Sequence, residues 1–221
     1  MATKWESDGE LFELIEAELF TAVLGDVLDE LGHQRQFLPP AIRPLQDQGV
    51  VAGRAMPVLE ADAFDDTKPF GRMFEALDDL RPGEIYVASG GSPHYAVFGG
   101  LMSVAATARG ARGAVLHGYH RDTRELLGNG FSVFSLGSYS QDQRVRGRVI
   151  DYRCRIEIGA AVVNPGDIIV GDIDGVLVVP RSAERDAVRA ALEKVRTESE
   201  VRKALARGLP AQEAFDRYGV L

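Results

Sequence analysis

The chain of 221 residues is predicted to form one mixed α/β domain over residues 1–221. Three features of the sequence lead to this prediction. Apolar residues recur at helical spacing near both ends of the chain. Short apolar runs follow Pro-Gly turns at residues 82–83 and 165–166, which is typical of turns that lead into buried strands. Between two further apolar runs, the middle of the chain carries a helical stretch of small residues.

The N-terminal third is expected to begin with helices and to continue with a long strand. Residues 10–32 form two helical stretches, and Gly32 ends the second one as a C-cap. Residues 49–60 form a strand with a bulge at Gly53. Residues 70–80 form a short amphipathic helix.

The central segment is expected to form a strand–helix–strand unit from residues 84–89, 99–110 and 113–118. Such a connection makes the two strands parallel. The helix, about 16 Å long, and the returning strand cover roughly the same distance, so the helix start and the exit of the second strand meet at one edge of the sheet. Open α/β folds bind their ligands at this edge.

The C-terminal half is expected to contain further strands and a long helix. The strands are residues 131–137, 144–159 and 175–180. In the second strand, side chains alternate so that Arg153 and Arg155 lie on a solvent-exposed face. The helix takes Ser182 as its N-cap and runs to about Arg207. Because its apolar stripe covers only one side, its far end is expected to lie on a neighbouring subunit.

The composition disfavours several classes of function. A net charge of −8 argues against nucleic acid and anionic membranes as partners. The single cysteine, Cys154, cannot form an intrachain disulfide and excludes a cysteine zinc site. The acidic N-terminus lacks the order of a signal peptide, and no apolar stretch approaches the roughly 20 residues of a membrane span. A cytoplasmic protein is therefore expected.

The groups expected at the sheet edge suit an anionic substrate that carries a carbonyl group. Gly99 and Gly100 leave the first amides of the helix open to a carboxylate. Arg121 offers a fork of donors to a carboxylate or to a developing enolate oxygen. Asp122 is a hard oxygen ligand suited to Mg²⁺ or Mn²⁺. A metal that polarises a 2-oxo group beside such an arginine is the minimum apparatus for breaking the adjacent C–C bond.

Each of these features also has a simpler interpretation. An adjacent Arg-Asp after a strand is more often a solvated pair in a loop. His94 and His120 flank the expected site and could relay protons, although surface or hydrogen-bonded structural roles are favoured. The arginines between residues 144 and 155 form a basic run that suggests RNA, but in so acidic a chain a solvated strand face or a subunit contact is favoured.

Four segments of the chain match the pattern of a known family. They are TAVLGDVLDELG (21–32), FGGLMSVAATARGARGAVLHGYHRD (98–122), NPGDIIVGDIDGVLVVP (164–180) and ARGLPAQEAFDRYGVL (206–221). Over roughly residues 20–221, the chain resembles the family that joins the RraA proteins, regulators of ribonuclease activity, with certain aldolases. Those aldolases act on 4-hydroxy-4-methyl-2-oxoglutarate and 4-carboxy-4-hydroxy-2-oxoadipate.

The resemblance implies a fold, an assembly and a set of site residues. The fold is a layered αββα sandwich similar to the swivelling phosphohistidine domain, assembled as trimers or hexamers. The loop whose amides hold the pyruvate carboxylate corresponds to Gly99, Gly100, Leu101 and Met102. Arg121 corresponds to the catalytic arginine that contacts the substrate, and Asp122 to the direct ligand of the metal.

Two positions give finer expectations from the same resemblance. Glu198 corresponds to an acid that approaches the metal-bound waters of a neighbouring subunit. The aldolases commonly carry Asp or Glu at the position of Gly100, and this chain departs from that pattern. If the missing acid is what separates this chain from the aldolases, Gly100→Asp is expected to tighten metal binding or to raise aldolase activity.

The leading hypothesis is a metal-dependent lyase that cleaves or decarboxylates small 2-oxo-dicarboxylic acids. Examples are 4-hydroxy-4-methyl-2-oxoglutarate and oxaloacetate, each releasing pyruvate through a metal-stabilised enolate. The alternative is a non-enzymatic regulator that binds ribonuclease machinery, but such regulators tend to lack the Arg-Asp pair that is intact at 121–122. A methyltransferase would need a nucleotide-binding Gly-x-Gly-x-x-Gly loop, which the sequence lacks.

Overall fold

The computed structural model describes residues 5–219 and confirms the mixed α/β class. The helices of this part of the chain are α1 (Asp8–Glu18), α2 (Thr21–Glu30), α3 (Met73–Asp78), α4 (Gly100–Ala108), α5 (Thr123–Asn129), α6 (Glu184–Ala206) and α7 (Ala211–Tyr218). Its strands are β1 (Arg43–Pro44), β2 (Val51–Asp62), β3 (Phe70–Gly71), β4 (Glu84–Ser89), β5 (Ala96–Phe98), β6 (Gly113–Leu116), β7 (Tyr119–His120), β8 (Ser132–Ser135), β9 (Gly147–Tyr152), β10 (Ile156–Ile158), β11 (Ala161–Val163), β12 (Ile168–Asp172) and β13 (Gly175–Val179).

Most of the strands join one mixed sheet in the order β1-β8-β6-β4-β2-β12-β13, with β9 paired to β2 and β3 paired to β9. The run β2-β4-β6-β8 is parallel. Its β4–β6 pair confirms the strand–helix–strand prediction. Strands β12 and β13 continue it in antiparallel pairing. Because β1 and β13 at the two ends lie close together, the sheet is nearly closed.

Alternate residues of the sheet face different cores, as strand geometry dictates. In β4, Ile85 and Val87 face the inside of the sheet, whereas Tyr86 and Ala88 face the outside. The inside is filled by apolar residues of the sheet and of the β10–β11 hairpin. Outside, helices α1, α2 and α6 cover β12 and β13, and helices α3, α4 and α5 cover the parallel strands. The two helical layers therefore lie on different parts of the outer surface.

The expected helix ends and strand irregularities are partly confirmed. Gly32 follows α2 with a φ of +86°, and the amide of His33 donates to the carbonyl of Leu28 at 2.7 Å, which closes the C-cap. The bulge expected at Gly53 is wrong, since the irregularity of β2 lies between Leu59 and Glu60. Gly53 pairs in regular register, and a Cβ there would lie 2.8 Å from the carbonyl oxygen of Gly83.

Residues 144–159 do not form the single alternating strand that the sequence suggested. The chain leaves the extended conformation at Arg153, whose φ is +52°, so β9 and β10 are separate strands. The Arg153 side chain does not lie on a solvent-exposed strand face. It binds Glu84 at 2.6 Å and also pairs with Asp79, so local ion pairing replaces the alternation.

The long C-terminal helix is confirmed, but its predicted N-cap is wrong. Ser182 is not its N-cap, because residues 180–183 form a turn in which the amide of Ala183 donates to Pro180, and the helix starts after it. The far end was expected to lie on a neighbouring subunit. Val201 and Ala204 are buried within the chain, where α6 packs against α7, so these two residues do not need a neighbour to cover them. The subunit contact stays a prediction.

Candidate active site

The start of α4 and the exit of β6 meet at one edge of the sheet, as the connection lengths predicted. Strand β4 pairs in parallel with β6. The short strands β5 and β7, which follow β4 and β6 in sequence, also pair in parallel. The amide of Arg121 donates to the carbonyl of Phe98 at 2.9 Å, immediately before α4 begins. Residues 99–102 and 121–122 are therefore neighbours.

Asp122 joins β7 to α5 and turns its carboxylate towards α4. Its φ of +58° is left-handed, a conformation that short polar residues such as aspartate tolerate. Oδ2 of Asp122 accepts a hydrogen bond from the amide of Gly100 at 3.1 Å. A Cβ on Gly99 would lie 2.7 Å from the same oxygen, so this close approach requires glycine. The amides of Leu101 and Met102 follow in the first helical turn, where intrahelical acceptors are lacking.

Glu125 is a residue at this edge that the sequence reasoning missed. A Cβ on Gly100 would lie 2.1 Å from Oε2 of Glu125, so the Glu125 carboxylate fills the space of a side chain at position 100. The first turn of α5 brings it there, with its amide donating to the carbonyl of Asp122 at 2.9 Å. The spacing Asp-x-x-Glu at a helix start was the signal, because residues three apart share a helix face.

Arg121 lies between two carboxylates. Its Nη1 is 3.0 Å from Oδ1 of Asp142, and its Nε is 3.6 Å from Oδ2 of Asp122. Asp142 comes from a distant part of the chain and is held there by a bridge to Ala96. The guanidinium remains partly exposed, with 39% of the side-chain surface accessible. The two carboxylates thus fix the direction of the fork while leaving donors free for a ligand.

A cavity of about 380 Å³ opens beside these groups. Its lining residues are Phe70, Met73, Phe74, Leu77, Ala96, Val97, Phe98, Gly99, Leu101, Met102, Ala105, Arg121, Asp122, Asp142 and Gln143. Of the residues proposed from the sequence, five line the cavity, and Gly100 lies beside it. Glu198 lies on α6, in the other helical layer, and does not line the cavity within one chain.

The histidines near the site differ in their surroundings. His120 is buried, and both ring nitrogens are occupied, with Nδ1 2.8 Å from the hydroxyl of Ser135 and Nε2 3.1 Å from that of Thr123. Burial lowers the pKa of His120 below its usual range. These contacts support the structural role that was favoured for it. His94 is exposed, and His117 lies 3.3 Å from the hydroxyl of Ser89.

The residues at the start of α4 and α5 fit a hard divalent cation. Asp122 and Glu125 both reach Gly100, so two carboxylates share one corner. Within residues 5–219, no three His, Cys, Asp or Glu side chains converge as a metal site. Mg²⁺ and Mn²⁺ are bound through one or two carboxylates with several retained waters, so a pair of carboxylates is an adequate donor set.

Four of the five arginines between residues 144 and 155 form ion pairs within the chain. The ion pairs are Arg144–Asp66, Arg148–Asp65, Arg153–Glu84 and Arg155–Glu157. The run is therefore interleaved with carboxylates and does not form a purely cationic surface. Separately, none of the helices between residues 5 and 219 combines the length and apolar character needed to cross a membrane.

The chain is similar to known proteins in both sequence and fold. The family model described as RraA-like (Aldolase/RraA) matches residues 21–178. A protein of Halalkalibacterium halodurans provisionally named a 4-hydroxy-4-methyl-2-oxoglutarate aldolase is 29% identical over 88% of this chain and 89% of its own length. Protein DlpA of Legionella pneumophila is 26% identical over 90% of this chain, which spans only 32% of DlpA. Among solved structures, RraAS2 of Streptomyces coelicolor, described as an unusual member of the RNase ES inhibitor RraA family, has a TM-score of 0.79 and is 25% identical. That match covers 90% of this chain and 99% of RraAS2.

Proposed function

The chain belongs to the RraA-like family, and from that premise we propose that it is a divalent-metal-dependent lyase of small 2-oxo acids that releases pyruvate. The reaction is retro-aldol cleavage or decarboxylation, and the candidate substrates include 4-hydroxy-4-methyl-2-oxoglutarate and oxaloacetate. One observation carries the proposal above the others. Arg121, Asp122 and the first turn of α4 border the same cavity.

Each group at the cavity has a distinct part in the proposed reaction. The first turn of α4, at Gly99 to Met102, binds the C1 carboxylate with the help of the helix dipole. The amides of Leu101 and Met102 are the donors, because the amide of Gly100 already donates to Asp122. Arg121 orients the 2-oxo group and stabilises the negative charge that develops on its oxygen. Asp122 and Glu125 would hold the cation, which supplies Lewis-acid polarisation of that carbonyl when bound. Asp142 keeps Arg121 in position through their 3.0 Å contact.

A coupled assay of pyruvate release tests the proposal directly. We expect turnover with Mg²⁺ or Mn²⁺, no turnover with EDTA, and loss of activity in Asp122→Ala, because that change removes the proposed direct ligand. Thermal melting of the variant controls for folding. Full turnover in EDTA, or a normal rate in the folded Asp122→Ala variant, would contradict the mechanism.

The same variant separates the enzyme from the alternative function. A regulator that binds ribonuclease machinery, for which the similarity to RraAS2 argues, would keep its binding in Asp122→Ala.

We further propose a homotrimer or homohexamer in which Glu198 of the partner subunit approaches the metal-bound waters. The far end of α6 no longer supports this assembly, since α7 covers it, so the proposal rests on the family resemblance. Light scattering of the purified protein tests it, and an active monomer would contradict it.

A further inference from the structure

The wall of the cavity opposite Arg121 is apolar. Helix α3 and strand β3 contribute Phe70, Met73, Phe74 and Leu77, and helix α4 contributes Leu101, Met102 and Ala105. Met73 and Leu77 are buried, whereas Phe74 remains 58% exposed and Leu101 81% exposed. The volume of about 380 Å³ falls within the range of small-molecule sites, roughly 300–1,000 Å³. This wall can therefore contact the part of a ligand that projects away from Arg121 and Asp122.

The charges that line the cavity are suited to one substrate carboxylate. Arg121 is the single cation among the lining residues, and it already contacts Asp142 and Asp122. A substrate with two carboxylates would place the second one against aromatic and aliphatic side chains, or beside the two aspartates. Burying a carboxylate without a cation or donors is strongly unfavourable.

The aromatic rings of the wall favour an apolar group in that place. Phe70 and Phe74 stand edge to face, with their ring centroids 5.8 Å apart. An aromatic or branched aliphatic group beside Phe74 would bury exposed ring surface, and edge-to-face contacts add to the hydrophobic gain. The same wall would remove water from a second carboxylate without giving it a cation or a hydrogen-bond donor.

We propose that the substrate is a 4-hydroxy-2-oxo monocarboxylic acid with an apolar group on C4. The inference rests on the proposed lyase function and specifies its substrate class. In the cleavage, the C3–C4 bond breaks, the 4-hydroxyl loses its proton, and C4 becomes the carbonyl carbon of an apolar aldehyde. The electron pair of the broken bond stays on the pyruvate unit, which takes up a proton at C3.

Binding of uncleavable analogues tests the substrate class without relying on catalysis. Calorimetry with Mn²⁺ present compares 2-oxo-4-phenylbutanoate with 2-oxoglutarate, which differ in carrying a phenyl group or a second carboxylate. We expect the phenyl compound to bind at least about tenfold more tightly. Equal or tighter binding of 2-oxoglutarate would overturn the inference.

Cleavage of matched substrates separates this inference from the proposed function. Pyruvate release is compared for 4-hydroxy-2-oxo-4-phenylbutanoate and 4-hydroxy-4-methyl-2-oxoglutarate, and we expect kcat/KM to favour the former by at least about tenfold. A preference for the dicarboxylate would overturn the substrate class and leave the lyase standing. Release from neither compound would overturn the inference, and release from neither of them nor from oxaloacetate would reject the lyase as well.

Substitution at Phe74 identifies the wall as the origin of the preference. Phe74→Arg supplies the missing cation, so we expect weaker binding of 2-oxo-4-phenylbutanoate and tighter binding of 2-oxoglutarate. Phe74→Leu is the matched control and should keep the original order. If Phe74→Arg leaves both affinities unchanged, or lowers both while light scattering shows that an oligomer has dissociated, Phe74 does not contact the ligand and the inference fails.

Discussion

The two sides of the cavity are built in different ways. The polar side comes mainly from one short stretch, residues 99–125, in which Asp122 accepts a hydrogen bond from the amide of Gly100. Arg121 is held there by ion pairs with Asp122 and Asp142. The apolar side comes from β3, α3 and α4, and on α3 Phe74 contacts solvent over more than half of its surface. The side chains of the apolar side are held by packing and carry no hydrogen-bonding groups that could orient a ligand.

This difference separates the two tasks of an active site. Bond cleavage needs groups held to within a fraction of an ångström, which a short hydrogen-bonded stretch provides. Substrate choice depends on the shape and polarity of a surface, which packed side chains provide without fixed bonds. Substitutions on the polar side should therefore change kcat, and substitutions on the apolar side should change which substrate is preferred.

The strongest test of this separation is Arg121→Lys. We expect kcat to fall by about 10²-fold although the charge is kept, because an ammonium group cannot reproduce the two-pronged donor geometry of a guanidinium. Steady-state kinetics with each substrate measures the effect. Arg124→Lys, on the exposed surface of α5, is the matched control and should retain its rate. A near-normal kcat for Arg121→Lys would show that the polar side does not perform the chemistry.

A smaller effect is expected from exchanging the acid at the polar corner. Glu125→Ala should weaken Mn²⁺ binding by about tenfold, the lower end for groups that support a metal site. Gly100→Asp alone should weaken it too, since the added Cβ would meet the Glu125 carboxylate, 2.1 Å away. This reverses the expectation from sequence that the single change tightens binding.

The double variant Gly100→Asp, Glu125→Ala completes this exchange. We expect it to recover affinity, because it moves one carboxylate from α5 to α4 and leaves a single acid in the same space. Calorimetric titration with Mn²⁺ measures all three variants. Tighter binding in Gly100→Asp alone would mean that Glu125 is not the acid of this corner.

A last effect concerns the stability of the protein and not the reaction, and it involves Glu60, whose side chain contacts Gln143 of the cavity lining. Its carboxylate is fully buried beside Gln143, a lining residue of the cavity that donates to it, and burial raises the pKa of Glu60 to about 8. The folded protein thus holds a proton that the unfolded chain releases above its ordinary pKa of about 4.5. The free energy of unfolding should therefore fall as pH rises between these values, by at most about 1.4 kcal/mol per unit.

Urea unfolding at several pH values measures this dependence. Glu60→Gln should remove the contribution of Glu60 to the slope between pH 5 and pH 8, since a glutamine is neutral in both states. Glu157→Gln, on an exposed carboxylate, is the control and should leave the slope unchanged. An identical slope in wild type and Glu60→Gln would show that Glu60 is ionised in the folded protein.

The parts of the site that could be predicted from sequence are those built from local contacts. Helix α4, the parallel strands around it and the approach of Gly99 to Asp122 follow from chain direction and element length within one short segment. Glu125 was missed although it is local. Its position depends on the left-handed conformation of Asp122, which directs α5 back over Gly100.

The remaining parts depend on contacts between distant segments, for which the sequence carries no spacing signal. Asp142 reaches Arg121 because its loop pairs with β5, and the apolar wall forms because α3 packs against α4. The break at Arg153 has the same origin, since its partners Asp79 and Glu84 lie about seventy residues earlier. Periodicity describes which face of an element is apolar but does not identify which element will cover it.

The β3–α3 part of the apolar wall, from Phe70 to Leu77, lies in a segment that the sheet leaves free to vary. Strands β2 and β4 are parallel neighbours, so the chain must cross over between them, and residues 63–83 make that crossover. Parallel pairing sets a minimum length for such a connection but not its sequence. The sequence of this segment can therefore change without altering the sheet. Related proteins could acquire new substrates through substitutions in it, while the residues that break the bond stay the same.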